Sequence, residues 1–263
     1  MPYAKERRLA IDLAKKSGKI IQRGFKLGMK SWYKEDKTVV TKADIKINNM
    51  VLRSIKKAFP GHSVISEEKS NIVENNEKTW VCDPIDGTLM FLRGVPSCVF
   101  SLAYLEEGKP KLGVVFDPFM NRMFHAVIAK GAFLNRKRIN VSTKTDLKYS
   151  VVGLSCWKER GAFADISDIY RKLLQNTADL FDLGSTAYQG MLVASGHFEG
   201  SIHPATSPYD SAALKIIVEE SGGKMTNLFG EDQRYDQKIK GCVISNGLVH
   251  KELVEIARSS LYS

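Results

Sequence analysis

Two aspartates, Asp83 and Asp86 in the segment WVCDPIDGT, have the clearest chemical potential in the chain. A buried strand is expected to end at Asp83, and Pro84 then removes a backbone donor and stiffens the turn. Two carboxylates directed at one point suit a hard cation such as Mg²⁺. Gly87 and Thr88 follow, and their backbone N–H groups are expected at a helix N-terminus, where an anion is favoured. The segment therefore predicts a metal and phosphate site.

Each acidic residue also has an ordinary structural interpretation. Asp83 alone would be a turn residue and Asp86 alone a helix N-cap. Glu67 and Glu68 follow a short strand, where two solvated loop glutamates are common. Asp210 stands where a helix begins, a frequent capping position for Asp. The composition does not show whether these acids meet in space.

The elements that would position these residues begin with two amphipathic helices. Apolar residues recur on one helical stripe over residues 5–25, and Gly28 is a suitable stop. A loop or hairpin is expected over residues 30–42. The second helix is predicted over residues 43–58, with five apolar side chains facing inward: Ile45, Ile47, Val51, Leu52 and Ile55.

Strand patterns and turn residues dominate the middle of the chain, and helices alternate with strands after it. An antiparallel meander is predicted from strands over residues 63–66, 79–82, 97–105, 111–116 and 123–128. Later strands are predicted over residues 151–154, 180–183 and 242–245, and helices over residues 166–175, 186–195, 210–221 and 248–258. We therefore expect an α+β half over residues 1–142 and an α/β half over residues 143–263.

Composition indicates a soluble globular protein, since 43% of residues are hydrophobic and 26% are charged. The sequence contains no apolar run of the ~18 residues that a membrane helix needs and no signal-peptide core. A cytoplasmic location without a membrane partner is therefore expected. The formal charge of +10 raises the possibility of a nucleic-acid partner. Because the basic residues are scattered, a solvated basic surface and no nucleic-acid partner are favoured.

The four cysteines, Cys82, Cys98, Cys156 and Cys242, form no Cys-x-x-Cys pair. Each lies in or beside an apolar stretch. Buried reduced thiols are therefore predicted.

Several segments in the right order resemble the inositol monophosphatase family of metal-dependent phosphomonoesterases. The most specific is the hexapeptide Asp83-Pro84-Ile85-Asp86-Gly87-Thr88, with Glu67-Glu68 upstream and Asp210 downstream. Supporting matches include Thr41-Lys42-Ala43-Asp44 and Glu219-Glu220-Ser221-Gly222-Gly223. The resemblance spans almost the whole chain and implies the layered αβαβα sandwich of the inositol monophosphatase and fructose-1,6-bisphosphatase type.

The resemblance also implies roles for individual residues. Metal ligation would fall to Glu67, Asp83, Asp86, Asp210 and the backbone carbonyl of Ile85, with two to three Mg²⁺ ions and inhibition by lithium. Thr88 would pair with Glu67 to orient or deprotonate a metal-bound water, and the amides of Gly87 and Thr88 would hold the phosphate. The organic part of the substrate would lie against Gly184, Ser185 and Thr186. Asp44 and Glu68 would support the site without being main metal ligands. Asp44 would lie beside a more weakly held third metal.

One departure from the family pattern concerns substrate choice. Inositol-cleaving relatives place a substrate-binding Glu about seven positions before the last metal-site Asp, where this chain has His203. The string from His203 to Leu214 is more similar to the histidinol-phosphate phosphatases of the same family. His203 is accordingly a candidate substrate contact, and a structural or solvated histidine is the alternative.

Three functions follow for testing. The first is Mg²⁺-dependent hydrolysis of a small monoester, such as inositol 1-phosphate or histidinol phosphate, by an activated water. The second is a bisphosphate phosphatase acting on fructose 1,6-bisphosphate or 3′-phosphoadenosine 5′-phosphate, for which Arg136, Lys158 or Arg160 would supply extra basic contacts. The third is an inactive regulatory protein on the same fold. A homodimer is expected by resemblance.

Overall fold

Five layers of secondary structure make up the fold, in the order helices, sheet, helices, sheet, helices. The computed structural model describes residues 2–25, 31–33, 39–73, 77–155, 164–177 and 179–261. A seven-stranded and a five-stranded sheet form two of the layers, and three apolar clusters fill the spaces between layers. The predicted αβαβα sandwich is confirmed.

The first layer contains α1 (Ala4–Gly24) and α2 (Lys42–Ala58). Both predicted helices are confirmed, because each buries one stripe of small and apolar residues against the large sheet. Ile45 is a correction: its side chain is 45% exposed, since it lies on the solvent side of the helix rather than on the buried stripe. Gly28 falls outside the described residues.

A short hairpin joins these helices and confirms the prediction where it is described. Strand β1 (Ser31–Tyr33) pairs antiparallel with β2 (Val39–Thr41).

The large sheet contains the predicted meander. Its strands are β3 (Ser63–Ser66), β4 (Lys78–Asp86), β5 (Val99–Glu106), β6 (Lys109–Asp117), β7 (Arg122–Val127), β8 (Ala132–Leu134) and β9 (Lys137–Arg138). Neighbours from β4 to β9 are antiparallel, as predicted for the meander. Strand β3 runs parallel to β4, so the prediction that residues 63–66 belong to the antiparallel meander is wrong. Side chains alternate between layers: Trp80 and Cys82 face the first helices, and Val81 faces the middle helices.

The remaining layers come from the second half of the chain. The middle helices are α5 (Thr186–Ala194) and α6 (Pro208–Glu220), and α3 (Thr88–Arg93) is a short helix after β4. The small sheet contains β10 (Val151–Leu154), β11 (Asp179–Phe181), β12 (Gly200–His203), β13 (Lys224–Thr226) and β14 (Cys242–Ser245). The outer helices are α4 (Ile166–Asn176) and α7 (His250–Arg258). Every predicted element here is present, but β12 and β13 were not predicted.

The predicted boundary at Ser142 falls between β9 and β10. One apolar cluster nevertheless contains residues of both halves, among them Val81 and Ile217, and the division into 1–142 and 143–263 stays a prediction.

Cys82, Cys98 and Cys242 are free and buried, as predicted, and Cys156 lies outside the described residues. In the part of the chain that the structure describes, no helix has the length and apolar character that crossing a bilayer requires.

Gly113 lets α6 lie directly on β6. A Cβ atom at this position would approach the backbone oxygen of Ala213 to 2.5 Å, and backbone yields less readily than a side chain. We expect Gly113→Ala to lower the free energy of unfolding by about 1–3 kcal/mol, measured by urea denaturation.

Gly24→Ala is the matched control for this substitution. Its new Cβ would meet only the end of the Phe91 ring, at 3.2 Å, and Ala43 Cβ, at 3.6 Å. Equal effects of the two substitutions would show that the contact between α6 and β6 is not tight.

Candidate metal and phosphate site

Three carboxylates meet at the end of β4 that faces α6. One oxygen each from Asp83, Asp86 and Asp210 lies within 4.8 Å of the others. Asp83 and Asp86 belong to β4, and Asp210 lies in the first turn of α6. Residues far apart in the chain are therefore brought into one acidic cluster.

A local irregularity of β4 brings Asp83 and Asp86 together. The predicted strand end at Asp83 is wrong, because β4 continues to Asp86, with a register shift against β5 between the two aspartates. In an unbroken strand, residues three apart face opposite sides of the sheet. Pro84 lacks an N–H and favours such a bulge, and the Ile85 N–H turns inward to donate to Asp83 Oδ1 at 2.9 Å.

Asp86 is anchored to the N-terminus of α5. Its Oδ2 accepts from Ser185 Oγ at 2.7 Å and from the Ala187 N–H. Ser185 also caps this helix, since its Oγ accepts from the Tyr188 N–H at 3.0 Å. The predicted substrate-lining residue Ser185 is thus seen in contact with a predicted metal ligand.

Asp210 is held by the turn that begins α6. Its Oδ2 accepts from the Ser207 N–H at 2.7 Å and from Thr206 Oγ1 at 3.0 Å. Pro208 occupies the first turn, where its fixed φ suits a helix start. These contacts fix the Asp210 carboxylate beside Asp83 and Asp86.

Asp44 and Thr88 form the adjoining wall of the site. Asp44 is completely buried, and its Oδ2 accepts from the Thr41 N–H at 2.9 Å within a capping box of α2. Thr88 Oγ1 lies 3.0 Å from the Ile85 carbonyl oxygen and 3.4 Å from Asp44 Oδ1. The hydroxyl therefore links Asp44 to the cluster.

Glu67 and Glu68 lie beside this wall. The Glu67 N–H donates to the Cys82 carbonyl oxygen at 3.3 Å, which ties it to the neighbouring strand. Its half-buried carboxylate is close enough to raise the pKa of Asp83, Asp86 and Asp210. Glu68 is half-buried and contributes to the raised pKa of Asp44.

The carboxylates of the site place several negative charges in a buried region of the protein. Burial, and then the neighbouring carboxylates, raise the pKa of Asp83 and Asp210 well above the usual range for Asp. Burial also raises the pKa of Asp86 to about 6 and that of Asp44 to about 7. An all-oxygen donor set of this charge matches a hard divalent cation. Asp83, Asp86 and Asp210 are the carboxylates that the fold brings together to hold it, and ligation by Glu67 and the Ile85 carbonyl stays a prediction.

Gly87 has a backbone conformation that other residues seldom adopt, with φ 88°. A Cβ here would lie 3.1 Å from the Ser97 carbonyl oxygen and 3.1 Å from Ser185 Cβ. Glycine thus permits the chain to turn sharply between the carboxylates of β4 and the hydroxyl of Thr88.

The remaining predicted residues lie at the start of α5 and behind it. Gly184 adopts φ 67° beside Met90. His203 is completely buried in β12, with Nδ1 3.3 Å from Thr186 Oγ1 and Nε2 3.1 Å from Ser201 Oγ. Burial lowers the pKa of His203 to about 3, so the ring is neutral. These contacts are those of a structural histidine, the alternative interpretation, and a direct substrate contact stays a prediction.

The sequence interpretation missed the residues that hold the carboxylates, namely Thr41, Thr206 and Ser207. Thr41 was within reach, because Thr-x-x-Asp before an apolar run is a capping-box pattern. Ser207 was also within reach, because Ser-Pro-x-Asp before an apolar run is the same pattern with Pro at the first helical position, whereas the contact of Thr206 with Asp210 carried no comparable signal.

Comparison with known proteins agrees with this geometry. The sequence pattern of the inositol monophosphatase family matches residues 4–262. A fructose-1,6-bisphosphatase/inositol-1-monophosphatase from Thermotoga maritima is 34% identical over 221 residues, covering 84% of this chain and 82% of that protein. The Nus factor SuhB of Pasteurella multocida is 31% identical over 226 residues, covering 84% and 85%.

A solved structure shows the same fold with ligands. An inositol monophosphatase/NADP phosphatase complexed with Mg²⁺ and phosphate superimposes with a TM-score of 0.84 at 26% identity, covering 97% of this chain and 96% of that one. Since the family pattern extends over nearly the whole sequence and the fold and acidic cluster agree with it, the chain belongs to the inositol monophosphatase family.

Proposed function

We propose that the protein hydrolyses a small phosphate monoester to an alcohol and inorganic phosphate in a Mg²⁺-dependent reaction. The observation that carries this proposal is the convergence of Asp83, Asp86 and Asp210 within 4.8 Å. When bound, Mg²⁺ neutralises the charge of the phosphate and lowers the pKa of a water molecule. No His or Cys nucleophile is then needed.

The hydroxyl of Thr88 is suited to receive a proton from the attacking water. Its own proton is directed to the Ile85 carbonyl or to Asp44 Oδ1, which leaves a lone pair of Oγ1 for an incoming donor. Burial keeps the pKa of Asp44 near 7, so this carboxylate can take up a proton passed through Thr88 close to neutral pH. Glu67 is the second group proposed to orient the water.

The substrate is proposed to lie over the start of α5. The amides of Gly87 and Thr88 would position the phosphate, and Gly184, Ser185 and Thr186 would face its organic part. An inositol phosphate or a histidinol phosphate fits this proposal, and a homodimer is proposed by family resemblance. The bisphosphate alternative is favoured by similarity to the Thermotoga relative, which is named as both a fructose-1,6-bisphosphatase and an inositol-1-monophosphatase. Of the residues considered for a second phosphate, Lys158 and Arg160 lie outside the described ranges.

A phosphate-release assay tests the proposal. The purified protein would be given inositol 1-phosphate, histidinol phosphate, fructose 1,6-bisphosphate, 3′-phosphoadenosine 5′-phosphate and NADP, each with Mg²⁺, with EDTA, and with Mg²⁺ plus lithium. We expect release from at least one ester that requires Mg²⁺ and is inhibited by lithium. No release from any ester would contradict the proposal and favour an inactive regulatory protein, a role compatible with similarity to a Nus factor.

A further inference from the structure

The outermost layer formed by α1 and α2 carries nearly all the net charge of the protein. The two helices contain twelve Lys and Arg residues and three carboxylates, a formal charge of +9, whereas the whole chain carries +10. The basic residues that seem scattered in the sequence are therefore concentrated by the fold. The rest of the chain is almost neutral.

These charges face the solvent. On α2 the exposed cations are Lys42, Lys46, Arg53, Lys56 and Lys57, all on the side away from the sheet. The single acid of α2, Asp44, is buried and belongs to the site already described. The exposed face of α2 is therefore free of carboxylates.

Helix α1 presents a similar face. Lys5, Arg8, Lys15, Lys19 and Arg23 are exposed on the side away from the sheet. Its exposed acid, Asp12, pairs with Lys16 at 2.7 Å, four residues further along the helix. At 1.5 Å per residue, the cations extend over about 30 Å of a two-helix plane.

A groove of about 660 Å³ runs along this plane. Ile20 of α1 and Ile45 and Met50 of α2 supply its apolar lining, and Lys42, Lys46 and Arg53 supply cations. Ile45 is the apolar residue that the sequence interpretation expected to be buried and that is 45% exposed. Apolar and cationic groups thus lie side by side.

In place of the expectation that the protein has no membrane partner, we propose that the α1–α2 face is a docking surface for an anionic phospholipid membrane. A plane of cations complements an anionic bilayer surface, and the apolar lining next to cations matches the junction of headgroup and acyl chain. A nucleic-acid duplex is a cylinder that would meet a flat face along one line, and its phosphates gain nothing from an apolar groove. An acidic peptide would fill the groove but leave most of the 30 Å plane uncovered.

Vesicle co-sedimentation tests the docking surface. The probes are vesicles of phosphatidylcholine alone and with about 30% phosphatidylglycerol, at low and high salt. We expect the protein to sediment with anionic vesicles only, and to be released by salt because screening weakens the attraction. The variant Lys46→Glu/Arg53→Glu/Lys57→Glu should lower the affinity by at least about a hundred-fold, since the loss of each cation costs roughly a factor of five and each new carboxylate is repelled by the anionic surface.

The control variant reverses three exposed lysines elsewhere, Lys137→Glu/Lys238→Glu/Lys251→Glu. It has the same net charge and should bind like the unmodified protein. Equal loss in both variants, or no binding to anionic vesicles, would overturn the proposal. Binding to a labelled RNA duplex without binding to vesicles would also overturn it, in favour of a nucleic-acid partner. Phosphate release is not used in this test, so it stands apart from the proposed enzymatic function.

Discussion

Asp86→Asn is expected to lower Mg²⁺-dependent phosphate release by about two to three orders of magnitude while leaving the protein folded. The substitution removes one negative charge from the acidic cluster, but the amide oxygen can still accept from Ser185 Oγ and the Ala187 N–H. Loss of a preorganised electrostatic contact of this kind lowers kcat by about 10²- to 10³-fold. The measurement is kcat at saturating Mg²⁺ and substrate, with circular dichroism to verify folding.

Asp12→Asn is the matched control for the Asp86 variant. It removes one carboxylate from the exposed side of α1, where the side chain pairs only with Lys16 among the ion pairs described. This variant should keep full activity. A kcat near that of the unmodified protein in Asp86→Asn would remove Asp86 from the metal ligands.

Mg²⁺ is expected to raise the melting temperature strongly near neutral pH. Burial raises the pKa of Asp86 to about 6 and that of Asp44 to about 7, so ionising them costs stability in the metal-free fold. Saturation at a hundred times Kd adds about 2.7 kcal/mol, or roughly 5–10 °C for a chain of this size. Differential scanning fluorimetry with Mg²⁺ and with EDTA measures the shift.

The pH dependence of the metal-free protein follows from the same groups. A folded-state pKa above the unfolded value means that the folded state binds more protons, so these acids destabilise the fold as the pH rises from about 4 to 7. The shift caused by Mg²⁺ should therefore be larger at pH 7.5 than at pH 5. It should be smaller in Asp83→Asn, where one ligand is neutral. A shift that is the same at both pH values and in this variant would contradict a metal at the cluster.

The sequence predicted the helices and the meander well, because each buries one regular stripe or face. It predicted the acids of the site through a specific motif. The sequence did not predict features that depend on contacts between distant segments of the chain. The bulge in β4 depends on pairing with β5, and β12 is stabilised by β10 and β14 on either side. Ile45 was misplaced because apolar character alone does not distinguish a groove on the surface from the core.

The position of the three aspartates has a consequence for the order in which the protein matures. Asp83 and Asp86 belong to a strand of the first sheet, and Asp210 comes from a helix beyond the first strands of the second sheet. A nascent chain that has emerged only as far as β9 contains two of the three carboxylates and lacks the helix that completes them. Tight binding of a cation by all three carboxylates is therefore expected only when synthesis is nearly complete. The bound ion then stabilises the assembled chain at a late stage of folding.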